Sequence, residues 1–148
     1  MKKVSEYLFL WTTGGCIYYG VECLFRGFSH WTMFLLGGVC FFFCTFQGIW
    51  LKWSDPFWKQ LLRCMIFVTA CEFITGIIVN KWLCWQVWDY TDLPFQLFGQ
   101  ICIPFMLIFS GLCALGIIVG GYLLYWLYGE ERPKLYLSQK VKKWYNEM

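Results

Sequence analysis

Two carboxylates stand out because each falls within or beside an apolar stretch of the chain. Glu72 is the only Asp, Glu, Lys or Arg within residues 65–80, and Glu22 directly follows the uncharged residues 7–21. A carboxylate at the centre of a membrane-spanning helix costs a few kcal/mol, and such residues often mark proton, ion or substrate pathways. If the two stretches cross a bilayer, these carboxylates could lie on a pathway for a proton, an ion or a substrate.

The spacing around the carboxylates suggests that both are paired. Glu22 and Arg26 stand at i, i+4 with the acid first, the favourable order for an ion pair on a helix. Thr69 and Gly76 share a helix face with Glu72, so we predict that Glu72 points into a helix bundle and meets a polar partner. The candidate partners are Tyr18, Tyr19, Arg26 and Asp89.

Three interpretations of this polar set remain open at this point. It is a satisfied cluster that holds helices together, or a site for a proton, an ion or a substrate, or Glu22 simply extends its carboxylate to the membrane interface. The candidates for a substrate or ion path are Glu22, Arg26, Glu72, Asp89 and Gln100.

The composition places these residues in a membrane protein. Apolar residues make up 59% of the 148 residues and charged residues 14%, against roughly 45–50% and 25% in soluble domains. A soluble fold of this size could not bury ten Trp, nine Tyr and fifteen Phe, because too much of a small chain faces water. The composition also excludes disorder, and a net charge of +3 is too small to indicate a nucleic-acid partner. We expect the partner to be the lipid bilayer.

Long stretches with few charges predict the membrane spans. A spanning helix needs about 20 mostly apolar residues, and four stretches meet this, at about 5–25, 31–51, 59–80 and 101–128. We therefore predict an all-α membrane protein in which four transmembrane helices form one bundle. The whole chain, 1–148, is then a single transmembrane domain with a basic tail at 129–148.

The segment between the third and fourth spans is rich in aromatic residues. Trp and Tyr are enriched where a bilayer meets water, so we predict that residues 81–100 lie at the outer interface. Trp88 and Tyr90 should point inward, and Asp89 between them should be bonded to protein. The tail should form a short amphipathic helix at 135–146.

The basic residues predict the orientation. With four spans, one side of the membrane carries ten of the twelve Lys and Arg residues, and the other side carries only Arg26 and Lys81. Because basic loops stay in the cytoplasm, we predict a multi-pass protein of the cell membrane with both termini cytoplasmic. The ten residues are Lys2, Lys3, Lys52, Lys59, Arg63, Arg132, Lys134, Lys140, Lys142 and Lys143.

Other motifs indicate packing rather than chemistry. Gly116 and Gly120 form a GxxxG pattern, which lets membrane helices approach closely. The nine cysteines lie mostly in apolar runs without a CxxC motif, and the chain has one histidine, so we predict neither a metal nor a cofactor. Signatures of catalytic sites are absent from the sequence, and we predict that the chain is not an enzyme.

Four short segments, in order, resemble one known family. Glu22 precedes Glu72-Phe73-Ile74-Thr75-Gly76, which is followed by Trp88-Asp89-Tyr90 and Gly99-Gln100-Ile101-Cys102. This set resembles the CmpB family of small bacterial membrane proteins, described as type IV ABC-transporter permeases. Gln100 stands where an arginine is common in the bacterial pattern. The resemblance implies a polytopic membrane protein and a permease-like component of unknown substrate.

A permease of four helices implies partners. A bundle of this size rarely encloses a path alone, so we expect a homo-oligomer or a partner membrane subunit. The sequence has no GxxxxGK[ST] motif for nucleotide phosphates, so a separate ATPase subunit is expected. One alternative is a structural or regulatory membrane protein without transport. A second is a membrane-embedded lipid-modifying enzyme that uses Glu72 and Asp89 as acid and base.

Overall fold

Four long helices account for most of the molecule. The computed structural model describes residues 1–147. Helix α1 is followed by three more long helices and a short C-terminal one, and two short strands pair antiparallel before the fourth helix. The elements are α1 (Lys2–Arg26), α2 (Trp31–Trp50), α3 (Phe57–Gly76), a π-helical extension of α3 (Ile77–Trp82), β1 (Gln96–Leu97), β2 (Ile101–Cys102), α4 (Ile103–Tyr128) and α5 (Gln139–Glu147).

Three stretches of the described residues are long and apolar enough to cross a membrane. They are Trp31–Trp50, Phe57–Trp82 and Ile103–Tyr128. Helix α1 has 25 residues, which is enough length, but hydroxyl and glycine residues at 12–15 and charged residues near its ends make it less apolar. The structure therefore confirms a helical protein with three candidate spans. That α1 is a fourth span stays a prediction.

Glycines bring α1 against α2. A methyl group added at Gly14 would lie 2.9 Å from the backbone oxygen of Gly37, and one added at Gly38 would lie 2.7 Å from the indole nitrogen of Trp11. Side chains at these positions would push the helices apart. Close backbone approach of this kind stabilises helix pairs in lipid through van der Waals contact.

The GxxxG pattern of α4 packs against α2 in the same way. A methyl group at Gly120 would collide with the hydroxyl of Thr45, and one at Gly116 would lie 3.3 Å from the Cβ of Cys44. The Thr45 hydroxyl also donates to the Gly116 carbonyl over 3.5 Å. Gly116 and Gly120 thus lie at a close contact between α4 and α2 within the chain.

The residues that follow α4 contact both the start of α1 and the loop between α2 and α3. Lys3 forms an ion pair with Glu130 over 2.6 Å. The Tyr136 hydroxyl donates to the Trp53 carbonyl over 3.2 Å, and the Phe57 amide donates to the Tyr136 carbonyl over 2.8 Å. We call this the inner end of the bundle and the opposite one the outer end. That the inner end faces the cytoplasm stays a prediction.

Two details of the secondary structure differ from the prediction. The chain is not purely helical, because residues 96–102 turn back on themselves and pair Gln96 with Cys102 and Leu97 with Ile101. Gly99, with a φ of 67°, supplies the left-handed backbone that this reversal requires. The tail helix begins at Gln139 rather than at 135, because Tyr136 is held in an extended segment by its bonds to residues 53–57.

Candidate functional site

Glu72 lies inside the bundle and is bonded to α1. Its side chain is buried on α3, with 4% of the residue exposed, and the Tyr18 hydroxyl donates to its Oε1 over 2.9 Å. The predicted interior position of Glu72 is confirmed, and Tyr18 is the partner among the four candidates. No donor from the described residues bonds its other oxygen. The pair ties α1 to α3, which have few other contacts.

The predicted ion pair at the end of α1 is also present. Nη1 of Arg26 lies 3.3 Å from both carboxylate oxygens of Glu22. The Ser29 hydroxyl donates to Glu22 over 3.2 Å, and Nη2 of Arg26 donates to the Val87 carbonyl over 2.5 Å. Arg26 therefore fastens the outer end of α1 to the segment that follows α3.

A buried pair of amides holds the same segment from the other side. Asn80 donates to Gln100 Oε1 over 2.7 Å and accepts from the Val87 amide over 2.7 Å. The indole of Trp88 donates to the Gln100 carbonyl over 3.0 Å. Gln100 was among the predicted site residues, but Asn80 was missed. The signal available in the sequence was a lone amide at the end of an apolar helix.

Glycine at position 76 makes room for this amide pair. A methyl group there would lie 2.5 Å from Gln100 Oε1 and 3.0 Å from the Trp88 ring. Gly76 is one helical turn beyond Glu72, so Trp88 and Gln100 lie directly over the outer side of the Tyr18–Glu72 pair. Trp88 is buried, as predicted.

Tyr90 is half-buried and completes this layer. Its ring stacks on Phe105 of α4 with the centroids 4.7 Å apart, in agreement with the predicted inward direction. Burial, together with the charges of Glu72 and Glu22, raises the pKa of Tyr90 above its usual range. Tyr90 is therefore a neutral hydrogen-bonding group at any ordinary pH.

Asp89 lies at the surface, and it is bonded to protein, as predicted. Its carboxylate accepts from the amide of Thr91 over 2.9 Å and also from the Thr91 hydroxyl. These two bonds lower the pKa of Asp89. A methyl group at Gly99 would lie 2.6 Å from the Asp89 Oδ1. The carboxylate thus serves a local turn, and the structure does not bring it to Glu72.

The backbone of this segment is strained at four residues that are not glycine. Cys84, Gln86, Phe95 and Phe98 have φ between 49° and 56°. Such conformations cost of order 1–3 kcal/mol each and persist only where surrounding contacts impose them. The bonds of Arg26, Asn80 and Gln100 are contacts of this kind.

Two neighbouring cavities lie beside Tyr18. One, of about 210 Å³, is lined only by α1 and α4 and includes Glu22 and Arg26. The other, of about 180 Å³, is lined by α1, α2, α3 and α4. Tyr18, Phe109 and Leu112 line both, and the Tyr18 ring stacks on Phe109 at 5.9 Å. Glu72 lines neither cavity, so the Tyr18 side chain separates it from both.

A family model described as "Putative ABC-transporter type IV" matches residues 6–137. The chain belongs to the CmpB family. The match covers all of the outer-end site residues described above, which lie on α1, on α3 and in the segment before α4. No curated protein and no solved structure gave a significant match.

This CmpB-family chain has a second polar network at its inner end, which was missed in the sequence. Gln60 accepts from Gln47 over 3.1 Å, and Arg63 donates to Gln47 over 2.6 Å and pairs with Asp55. Both glutamines are buried. The network closes the α2–α3 turn at the end where the termini lie.

Glu6 is the other buried carboxylate of this CmpB-family chain. It is fully buried on α1, and among the described residues neither of its oxygens has a hydrogen-bond donor and Lys3, at 3.6 Å, is its ion-pair partner. Within residues 1–147, no group of three or more His, Cys, Asp or Glu side chains could hold a metal ion. The chemistry available at both ends is therefore that of carboxylates, amides and hydroxyls.

Proposed function

We propose that the chain is the membrane-embedded, permease-like component of an ABC-type transporter and that Glu72 lies on its substrate or ion path. The observation that supports this is the Tyr18–Glu72 bond, 2.9 Å long, beside two cavities that Tyr18 lines. Ionisable residues inside membrane bundles often mark such pathways. Glu72 has one neutral donor rather than a salt bridge, so a proton or cation can reach it without displacing a buried counter-charge.

Tyr18 is the positioning residue in this proposal. Its hydroxyl holds Glu72 while its ring faces both cavities and stacks on Phe109. A rotation of this side chain breaks the bond and opens Glu72 to the cavities. Access to the carboxylate then depends on one aromatic side chain.

The proposal requires partners. ATP would be bound by a separate subunit, since these 148 residues carry no phosphate-binding loop motif. Four helices make little more than one bundle, so the complete path would come from a homo-oligomer or from a partner membrane subunit. We place the chain in the cell membrane with both termini cytoplasmic, from the distribution of basic residues.

A second candidate function is a structural or regulatory membrane protein without transport. The mutually bonded Glu22–Arg26 and Asn80–Gln100 pairs favour it, because polar clusters of this kind also serve to fix helix packing. A lipid-modifying enzyme has weaker support. The enzyme would need Glu72 and Asp89 together as acid and base. Glu72 is bonded to the buried Tyr18, whereas Asp89 is bonded to Thr91 in a surface turn.

Complementation of a deletion strain tests the transport proposal. Mass spectrometry of cells and medium first identifies the compounds whose distribution depends on the chain. Glu72→Gln should fail to restore that distribution while membrane expression stays normal, and Tyr18→Phe should restore it only in part. Glu131→Gln, at an exposed carboxylate, is the matched control and should restore it fully. Full restoration by Glu72→Gln would leave only the structural or regulatory function.

A further inference from the structure

We propose that the groove between the outer halves of α1 and α4 binds one acyl chain of a zwitterionic glycerophospholipid, whose headgroup contacts Glu22 and Arg26. This lipid site does not depend on transport. It would be present in a permease and in a structural protein alike.

Helices α1 and α4 pack together at the inner end and are bridged farther out by the Tyr18–Phe109 ring stack, beside which the groove lies. At the inner end Leu10 and Leu124 belong to one buried cluster, and the rings of Phe9 and Tyr128 are 6.0 Å apart. At the outer end the cavity of about 210 Å³ has only α1 and α4 as walls. The two helices therefore form an open cleft that narrows toward the inner end.

The length of the groove matches one lipid leaflet. The two cavities share Tyr18, Phe109 and Leu112 and together extend along α1 from Gly14 to Arg26. Twelve residues of helix measure roughly 18 Å at 1.5 Å per residue, about half of the ~30 Å hydrocarbon core. A partner helix would cross the whole core and would need a longer groove. An acyl chain occupies one leaflet.

The residues that line the groove suit a lipid with an apolar tail and a headgroup that carries both a positive and a negative charge. The walls are apolar except for the Tyr18 hydroxyl, which is turned to Glu72, and the ion pair at the rim. The side chains of Glu22 and Arg26 are 13% and 29% exposed. The guanidinium group has five N–H donors and suits a phosphate. Glu22 suits an ammonium group and would repel a headgroup with only negative charge.

Native mass spectrometry of the full chain, purified in detergent, measures the binding. The probes are phosphatidylethanolamine and phosphatidylglycerol with identical acyl chains. We expect one retained phosphatidylethanolamine and roughly tenfold weaker retention of phosphatidylglycerol, the effect of one charge-assisted interaction. The Glu22→Gln variant should reduce the difference in retention between phosphatidylethanolamine and phosphatidylglycerol.

Two α4 variants give a matched comparison. Leu112→Trp fills the groove and should remove the bound lipid. Leu107→Trp adds the same ring to a residue that is 64% exposed and lines neither cavity, and it should leave lipid binding unchanged. Equal retention of the two lipids, or retained phosphatidylethanolamine in Leu112→Trp, would overturn the proposal.

Photo-crosslinking of the unaltered protein avoids any dependence on variant folding. A phosphatidylethanolamine with a diazirine in its acyl chain should label mainly peptides from 14–26 and 105–119. Labelling spread evenly over all lipid-facing helices would refute the site. A Leu112→Trp variant that changes only the oligomeric state would assign the groove to a second copy of the chain instead.

Discussion

The side-chain amide of Asn80 donates to the side-chain oxygen of Gln100 over 2.7 Å, although the two residues are 20 positions apart in the chain. Both are buried. Asn80 also accepts from Val87, so one amide at the end of α3 holds the start and the finish of the segment that leads to α4. That segment covers the Tyr18–Glu72 pair.

Replacing Asn80 should loosen this cover. Asn80→Leu leaves the Val87 amide and the Gln100 oxygen without partners, at a cost of roughly 1–3 kcal/mol. Thermal unfolding in detergent, followed by tryptophan fluorescence, should show a lower midpoint. Lys81→Met, at the adjacent exposed residue, is the control and should unfold like the wild type. Equal midpoints for both variants would show that the amide pair contributes no stability.

The Tyr18–Glu72 bond should tolerate a neutral acceptor but not an apolar side chain. Glu72→Gln keeps an oxygen for the Tyr18 hydroxyl and should unfold close to the wild type. Glu72→Leu strands that hydroxyl and should lower the free energy of unfolding by roughly 1–3 kcal/mol. Chemical denaturation in micelles measures both, with Ile74→Leu at a 57% exposed position as the control. A stable Glu72→Leu protein would remove any structural role from the bond.

Replacing two glycines of α4 with larger residues should have opposite effects on the stability of the protein. A Cβ at Gly120 meets Thr45, whereas one at Gly111 meets nothing within 4 Å. Gly120→Val should therefore destabilise the α2–α4 contact by roughly 1–3 kcal/mol, the usual cost of overpacking. Gly111→Ala should be neutral or stabilising. The same unfolding assay compares them, and similar losses in both would argue against the helix contact.

Removing the buried charge at Glu6 should not harm the protein. No hydrogen-bond donor would be left unpaired, and Lys3 would keep its ion pair with Glu130. Replacing a poorly compensated buried charge with an apolar side chain is often neutral or stabilising. We expect Glu6→Met to match or exceed the wild-type unfolding midpoint, and the exposed Glu131→Met to leave it unchanged. A marked loss in Glu6→Met alone would mean that Glu6 has a bonding partner.

The turn at Asp89 should depend on pH in the acid range. Thr91 lowers the pKa of Asp89 in the folded state, so its stabilising contribution is present above the unfolded value of about 3.9. That contribution is lost as the pH falls through the lower folded value. In micelles, the NMR shift of the Thr91 amide should stay constant above pH 4.5 and change only below about 3.9. A midpoint above that value would contradict the bond.

The long helices could be predicted from the sequence because they follow from local patterns. Charge-free runs located α2, α3 and α4 to within two residues of most of their ends, and the i, i+4 spacing located the Glu22–Arg26 pair. The interior position of Glu72 followed from the cost of a carboxylate in lipid. These arguments need only the neighbours within a turn or two.

The segment before α4 could be predicted only in part, because its contacts are distant in sequence. Asp89 was expected to be bonded to protein, and it is, but its partner Thr91 was not among the residues predicted to meet it. The role of Asn80 could not be predicted, because its partners Val87 and Gln100 become neighbours only once the chain has reversed at Gly99. A periodic pattern in the sequence does not reveal contacts between residues so far apart.

The contact of Tyr136 with the α2–α3 loop sets an order of assembly. Synthesis runs from the N-terminus, so the carbonyls of Trp53 and Ser54 are exposed long before their partner at position 136 leaves the ribosome. The ion pair of Lys3 likewise forms only after Glu130 has been synthesised. The residues that follow α4 thus close bonds whose partners lie in the first half of the chain, so these contacts form only after α4 has been synthesised.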